Sequence, residues 1–351
     1  MEKANFFDFS LPELADFLVG KGFMKFRAKQ LFKWAYQKRV LDWNEMTDIS
    51  VADRQALPQI LEFKLPEVLT RRISKDGTEK FLFDVGNNMS VEAVLIPADG
   101  GRNTLCVSSE VGCNLGCKFC YTGKQKLKKR LSTGEIVGQL YQVTEVLPEE
   151  KRVTNIVYMG MGEPLDNPDA VFPSIKIMHE PTAFNIGLKK ITVSTSGIVP
   201  LIKKVTESGA RLAVSLNGSN DEVRTAVMPI NKRWNIEELF DACRDWTKAT
   251  GDKVTFEYVL LKDVTDFVEQ ARELHKLTST VPCKINIIPF NEHPDSGYQR
   301  PSEKRIVAFQ EELIRLGSHV LRRKTMGRDI YAACGQLTTA AKKSPDPVLT
   351  T

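Results

Sequence analysis

The sequence predicts an α/β protein: a partial (β/α)6 barrel, preceded by a small helical domain and a short β extension. Three observations carry that expectation. From about residue 104, β-rich apolar runs alternate with amphipathic helical runs over six units. Three cysteines follow the first of these runs directly, at the strand end where barrels of this kind gather their chemistry. The first 60 or so residues lack the alternation and read as helices.

Taken in order, Ser10-Leu-Pro-Glu-Leu starts a helix with a capping serine and an early proline. A second helical stretch, Phe26 to Gln37, carries Phe26, Leu31, Phe32 and Ala35 at helical spacing. Short strands follow at Val68–Ile73, Lys80–Val85 and Ser90–Pro97, with hairpin turns at Lys75-Asp-Gly and Gly86-Asn-Asn. The alternating part has strands at Thr104–Ser109, Thr154–Gly160, Lys190–Ser196, Arg211–Asn217, Lys253–Leu261 and Cys283–Asn291. The helices between them include Ser132–Leu147, Val199–Ser208, Ile236–Thr250 and Phe267–Thr278, the first opened by a capping box, Ser132-Thr-Gly-Glu135. Such alternation implies parallel strands joined by right-handed crossovers, and six units leave the barrel open. A last helix, Ser302 to Leu316, precedes a strand-like run, Val320 to Lys324. The expected divisions are 1–62 helical, 63–103 β extension, 104–337 barrel and 338–351 a disordered tail.

Composition sets the class. The chain has 351 residues, 42% apolar and 26% charged, with a net charge of +5, as an ordinary soluble globular protein does. No stretch approaches the roughly 18 apolar residues that cross a bilayer, and the start lacks a signal pattern, so a cytoplasmic protein without disulfide scaffolding is expected.

The chemistry begins with Cys113-Asn-Leu-Gly-Cys117-Lys-Phe-Cys120. Three thiolates from one loop can hold three irons of a [4Fe–4S] cube, leaving the fourth iron open to a ligand. Zinc is the rival; it needs a fourth ligand, and none of His179, His275, His293 and His319 lies at finger spacing. Cys243 and Cys283 sit in apolar patterns and read as core. Cys334, among small neighbours in Ala-Ala-Cys-Gly, reads either as a buried small residue or as a nucleophile on a mobile loop. Cys106 reads as core or as a partner thiol for a sulfur intermediate.

Polar residues close several strands: Gly162 and Glu163 after the second, Ser194 at the third, Ser215 and Asn217 at the fourth, Asn291 at the sixth. Singly each reads as a cap or turn. On one rim beside the cysteine loop they suit a polar small molecule lying across the strand tops, with small glycines admitting it and Glu163 accepting from an amine. Residues 25–39 carry Lys25, Arg27, Lys29, Lys33, Lys38 and Arg39 with no acid, and Trp34 and Tyr36 are interleaved. That run is either a solvated helix face or a phosphate-contacting surface. Further basic runs, Lys124 to Arg130 and Arg322 to Arg328, flank the proposed site and favour an anionic polymer as substrate.

In sequence order, Cys113-x3-Cys117-x2-Cys120, Met159-Gly-Met-Gly-Glu-Pro, Ser194-Thr-Ser-Gly, Met228-Pro-Ile-Asn and Ala333-Cys-Gly-Gln-Leu resemble the radical-SAM adenine methyltransferases of the RlmN/Cfr type. The resemblance runs from about residue 10 to 337. It implies a radical-SAM barrel with a [4Fe–4S] cluster on Cys113, Cys117 and Cys120, and two S-adenosylmethionines. One methylates Cys334; the other chelates the open iron and is cleaved to a radical that takes hydrogen from that methyl group. The carbon radical then adds to an adenine ring, and Cys106 releases the product by a transient disulfide with Cys334. Glu92 is implied as proton acceptor, and Gly162, Glu163, Ser194, Ser215, Asn217 and Asn291 as the S-adenosylmethionine site. Asn217 stands where the family usually has histidine. The implied substrates are adenine 2503 of 23S rRNA and adenine 37 of certain tRNAs, at C2; a drug-resistance branch acts at C8. The helical N-terminal region is implied to grip folded RNA. A monomer served by an electron donor of flavodoxin or ferredoxin type, away from membranes, is the expected state. A radical-SAM oxidoreductase would not need Cys106 and Cys334 together, and an RNA-binding scaffold would hold a tetrahedral metal.

Overall fold

The computed structural model describes residues 3–148, 151–294 and 296–338; the expected tail from 339 onward lies outside them. Among these residues one mixed sheet of ten strands organises the chain. Its strands are β1 Glu67–Ile73, β2 Glu79–Asp84, β3 Ser90–Ala98, β4 Arg102–Cys106, β5 Asn155–Tyr158, β6 Ile191–Thr195, β7 Arg211–Ser215, β8 Val254–Leu260, β9 Cys283–Pro289 and β10 Val320–Arg322. Their order in the sheet is their order in the chain. Strands β1 to β4 pair antiparallel, and β4 to β10 pair parallel throughout. The six expected parallel strands are present, and the run at Val320 adds a seventh. The β extension continues the barrel sheet instead of standing apart, because β3 pairs with β4 from Val94↔Cys106 to Ala98↔Arg102. Strands β1 and β10 do not pair, so the barrel is open.

The helices are α1 Leu11–Gly20, α2 Arg27–Phe32, α3 Val51–Ala56, α4 Thr133–Val146, α5 Pro168–His179, α6 Ile202–Ser208, α7 Asp221–Val227, α8 Ile236–Thr250, α9 Val268–Thr278 and α10 Glu303–Arg315. Caps read from sequence are in place. The Ser10 N–H donates to Glu13 at 2.9 Å, and Ser132 and Glu135 bond reciprocally at 3.2 and 2.9 Å. Helices α5 and α7 were not foreseen. In α5, Pro173 sits inside the helix and masks its period, although Asn167-Pro168 opens it as a proline start should.

The N-terminal helices share the barrel's core. Phe6, Phe7, Phe32 and Tyr36 interlock edge to face, and Phe7 meets Tyr141 of α4 with ring centres 5.4 Å apart. Asp8 accepts from the Gly134 N–H at 2.7 Å, placing an acid at the start of α4 where the helix dipole favours it. Tyr36 is buried in this cluster and Trp34 is buried in the same core, so both are packing residues and offer no stacking platform. Exposed there instead are Met24 and Phe26, at 64% and 52%, among Lys25, Lys29 and Lys33.

Candidate active site

The cysteine loop leaves β4 and is folded by its own backbone. The Cys113 N–H donates to Gln125 O at 3.0 Å, and the Cys120 N–H to Cys117 O at 3.2 Å. The Lys118 N–H reaches Val227 O of α7 at 3.0 Å. Glycine is required at two points. Gly112 has φ +82, and a Cβ there would lie 2.2 Å from Lys126 O; a Cβ on Gly123 would lie 2.7 Å from Cys117 O. Phe119 packs with Val227, Met228, Leu261 and Phe290, which seats the loop against the barrel rim.

The donor set fits an iron–sulfur cube. Cys113 and Cys117 interact electrostatically, as do Cys117 and Cys120, so the three thiols form one group. Burial pushes each thiol up, Cys117 to about 12, so only a strongly held cation would keep them as thiolates. Among the described residues no three His, Cys, Asp or Glu side chains converge on a point that a single ion would occupy. Three of the four histidines have ring partners of their own: His179 Nδ1 faces Ile186 O at 3.0 Å, His275 Nδ1 faces Ser318 Oγ at 2.9 Å, and His293 Nε2 and Nδ1 face Phe119 O at 3.0 Å and Pro294 O at 2.9 Å. A mononuclear zinc site therefore lacks its ligand sphere, whereas three thiols bound to three separate irons need no common point.

All six residues expected to bind S-adenosylmethionine, Gly162, Glu163, Ser194, Ser215, Asn217 and Asn291, line one cavity of about 150 Å³, together with Cys120 and Cys334. Their roles differ from a simple ligand shell. A Cβ on Gly162, at φ +94, would lie 2.5 Å from the Glu110 side chain, and one on Gly160 2.6 Å from Val107 O. These glycines permit close packing of protein on protein rather than of ligand on protein. The Glu163 carboxylate accepts from the N–H groups of Leu165 and Ser196 at 3.1 and 2.7 Å, and burial raises its pKa. Asn217 has φ 51, in the left-handed region that asparagine tolerates. It accepts from the Val259 N–H at 2.8 Å, so its amide serves the rim as well as the cavity.

A larger cavity, of about 680 Å³, adjoins the first. Cys106 lines it, Cys334 and Arg323 line both, and no disulfide joins the two thiols. Burial, then the neighbouring Cys334, pushes the Cys106 thiol up to about 12. The Cys334 loop is fastened rather than loose. Asn291 Nδ2 donates to Cys334 O at 3.2 Å and the Tyr121 N–H donates to Gly335 O at 2.8 Å. Glu92 lines neither cavity; it pairs with Lys80 at 2.9 Å and accepts from the Thr338 N–H at 3.0 Å, beneath the loop. Burial raises its pKa against the pull of Lys80.

Two residues escaped the sequence reading. Arg224 is fully buried and bonds Leu216 O at 3.0 Å, Asn231 Oδ1 at 2.7 Å and Ser196 O at 2.6 Å, tying together the ends of three rim segments. Arg323, read only as part of a basic run, is a half-buried cation whose charge is reinforced first by Cys334 and then by Glu257, 3.9 Å away. Neither carries a motif; only a buried position distinguishes such an arginine from a surface one.

A family profile for the Radical SAM superfamily matches residues 107–277, and one for the ribosomal RNA large subunit methyltransferase N-terminal domain matches residues 4–63. A dual-specificity RNA methyltransferase RlmN of Bdellovibrio bacteriovorus is 58% identical over 342 residues, covering 97% of this chain and 86% of that protein. An RlmN of Syntrophobacter fumaroxidans is 45% identical over 333 residues, 94% of this chain and 96% of its own. A solved radical SAM methyltransferase from Sphaerobacter thermophilus superposes with a TM-score of 0.87 at 39% identity, covering 94% of this chain and 98% of that one. With both profiles matched in one chain and relatives 45–58% identical over nearly its whole length, this protein belongs to the RlmN family of radical-SAM RNA methyltransferases.

Proposed function

We propose that this chain methylates C2 of adenine 2503 in 23S rRNA and of adenine 37 in tRNAs, with Cys334 as the methyl carrier. It is a radical-SAM methyltransferase of ribosomal and transfer RNA that uses a [4Fe–4S] cluster and S-adenosylmethionine. One observation carries the reading of the site: Cys334 stands at the junction of the two cavities, with the polar rim on one side and Cys106 on the other. Cys113, Cys117 and Cys120 would hold the cluster, which with bound S-adenosylmethionine supplies a carbon-centred radical.

The remaining work belongs to the chain. The rim residues would hold S-adenosylmethionine beside Cys334, whose sulfur, once its proton has passed to solvent, would accept the methyl group as the donor's sulfur–methyl bond breaks. The adenine enters the larger cavity, whose wall includes Arg322, Arg323 and Lys324. An aromatic C2–H carbon cannot be methylated by direct attack on a sulfonium, so positioning a carbon radical against it is the protein's task. Cys106, which lines the same cavity, would attack the Cys334 sulfur as a thiolate, and the disulfide forms as the bond from that sulfur to the transferred carbon breaks, its electron pair leaving with the adenine-bound carbon. Glu92 accepts a proton after leaving its present partners, Lys80 and Thr338.

RNA is gripped by the lysines around Met24 and Phe26, where base stacking and phosphate contact can combine. The chain acts as a cytoplasmic monomer; among the described residues no helix is long and apolar enough to cross a membrane. An acidic one-electron carrier of flavodoxin or ferredoxin type docks at the surface cleft lined by Cys117, Lys118, Lys124 and Tyr298, behind the thiols. Lys118, Lys124, Lys126 and Lys128 are exposed around it.

The test is oxygen-free reconstitution with a count of iron and sulfide, followed by assay of 5′-deoxyadenosine and methyladenosine on both RNAs. Cys334→Ala should yield no methylated thiol, and Cys106→Ala should accumulate a protein–RNA adduct. Normal product release by Cys106→Ala would reject the disulfide step, and methylation at C8 would reject the regiochemistry.

A further inference from the structure

The segment that carries Cys334 crosses the gap in the open barrel. It begins just past β10, at one edge of the sheet, and is fastened to the turn between β1 and β2, at the other edge. Ser74 Oγ–H donates to Asp329 Oδ1 at 2.5 Å, and the Lys75 N–H to Asp329 Oδ2 at 3.3 Å. In return the Gly327 N–H donates to Asp76 Oδ2 at 2.8 Å. The contact is close: a Cβ on Gly327, at φ +66, would lie 2.7 Å from Ala332 and 2.9 Å from Thr78. A second tie lies deeper. Lys80 Nζ donates to Tyr331 O at 3.2 Å while pairing with Glu92, which accepts from the Thr338 N–H. Four side chains from the β extension thus hold residues 327 to 338 on both sides of Cys334.

We propose that the turn Ser74–Thr78 is a latch that positions the Cys334 segment between the two cavities, with Asp76 and Asp329 as its positioning residues. Asp329 lines neither cavity, and Asp76, on the wall of the larger one, is engaged by the Gly327 N–H; each acts by fixing where Cys334 stands. The β extension thereby closes the barrel on the side where the parallel strands leave it open. Both carboxylates are held ionised. Asp329 sits below its ordinary range, chiefly through the Ser74 hydroxyl; Asp76 does so against a burial penalty, through the Gly327 and Thr78 N–H groups and the Thr78 and Ser74 hydroxyls. A charge-assisted bond of this kind is among the stronger single ties a loop can have.

The inference rests on Cys334 as methyl carrier, and two separate readouts distinguish its failure from failure of that reading. In the reconstituted holoenzyme, Asp76→Ala and Asp329→Ala should speed hydrogen exchange at residues 327 to 338 by about tenfold or more, while exchange in the cluster loop stays unchanged. The same variants should keep their iron content and still make 5′-deoxyadenosine. The ratio of 5′-deoxyadenosine to methyladenosine should rise about tenfold, because the radical then finds the methyl group misplaced. A purely structural role would lower both products together. Asp329→Asn keeps an acceptor for Ser74 and should recover most of the coupling. Ser74→Ala is the milder probe should an aspartate variant not fold. Unchanged exchange in folded variants overturns the latch. Faster exchange with an unchanged product ratio overturns its positioning role. Absence of a methyl group on Cys334 of the wild-type protein, read by mass, overturns the underlying reading instead.

Discussion

The cluster loop and the Cys334 segment meet over the same small cavity, and they are held there by different kinds of bond. The cluster loop is tied by backbone to backbone, mostly within a dozen residues: Cys113 to Gln125, Cys120 to Cys117, and glycines where a side chain would collide. The Cys334 segment, beside its bonds to Asn291 and the Tyr121 N–H, is tied by side chains that lie some 250 residues earlier, Asp76 and Lys80 among them. A backbone-tied loop keeps its shape whatever its side chains do, which suits a part that must hold a cofactor permanently. A segment strapped by a few carboxylates can be released one bond at a time, which suits a sulfur that must meet a methyl donor, an RNA base and another thiol in turn.

That contrast can be broken most severely at the thiols. Cys117→Ala should leave no iron bound after reconstitution and methylation below about a thousandth of wild type, since the cofactor carries the hard step. Retained iron with ordinary turnover would mean another ligand serves. Next is the backbone of the loop itself. Gly112→Ala forces a Cβ against Lys126 O from a left-handed residue and should cost about 2–4 kcal/mol in the melting of the loop, seen as poor iron retention. Undiminished iron would show that the loop yields.

The next effect is expected at the strand-end rim, outside both regions. Arg224→Ala strips partners from three buried acceptors, Leu216 O, Asn231 Oδ1 and Ser196 O, and should destabilise the protein by about 2–4 kcal/mol by chemical denaturation. The loss should appear as weaker S-adenosylmethionine binding with exchange in the Cys334 segment unaffected. The smallest effect is electrostatic. Burial, set against the Glu163 N–H bond, raises Glu110 from 4.5 to about 8. A carboxyl raised in the folded state lends stability below its unfolded pKa and loses it as pH rises through the folded value. The melting temperature of the wild-type protein should therefore fall relative to Glu110→Gln between about pH 5 and 8. A constant difference across that window would show that Glu110 stays charged.

Much of this arrangement was legible in the residues. The cysteine spacing, the strand-end polar residues and the capping boxes are local signals, and the structure gathers the six rim residues around one cavity. What was not legible is as instructive. Trp34 and Tyr36 were read as interleaved in a basic face, but both are buried, Tyr36 in the aromatic cluster against Tyr141 of α4 and Trp34 beneath Lys38 with its Nε1–H donating to Asp48. Helix α5 was hidden by an internal proline. Glu92 was expected as a proton acceptor, but its partnership with Lys80 and Thr338 depends in part on a segment nearly 250 residues away. The latch turn had been read as a hairpin and nothing more.

The order of amino acids by itself determined the strand and helix rhythm, the trio of thiols on one loop and the kind of cofactor such a trio can hold, because these depend on side-chain chemistry at short range. Which thiol stands between the cavities, which arginines go inside, and how an unclosed barrel is fastened across its gap were decided only in three dimensions. Those features arise from contacts between segments far apart in the chain, and no local pattern records what a side chain will meet once the sheet has brought its two edges together.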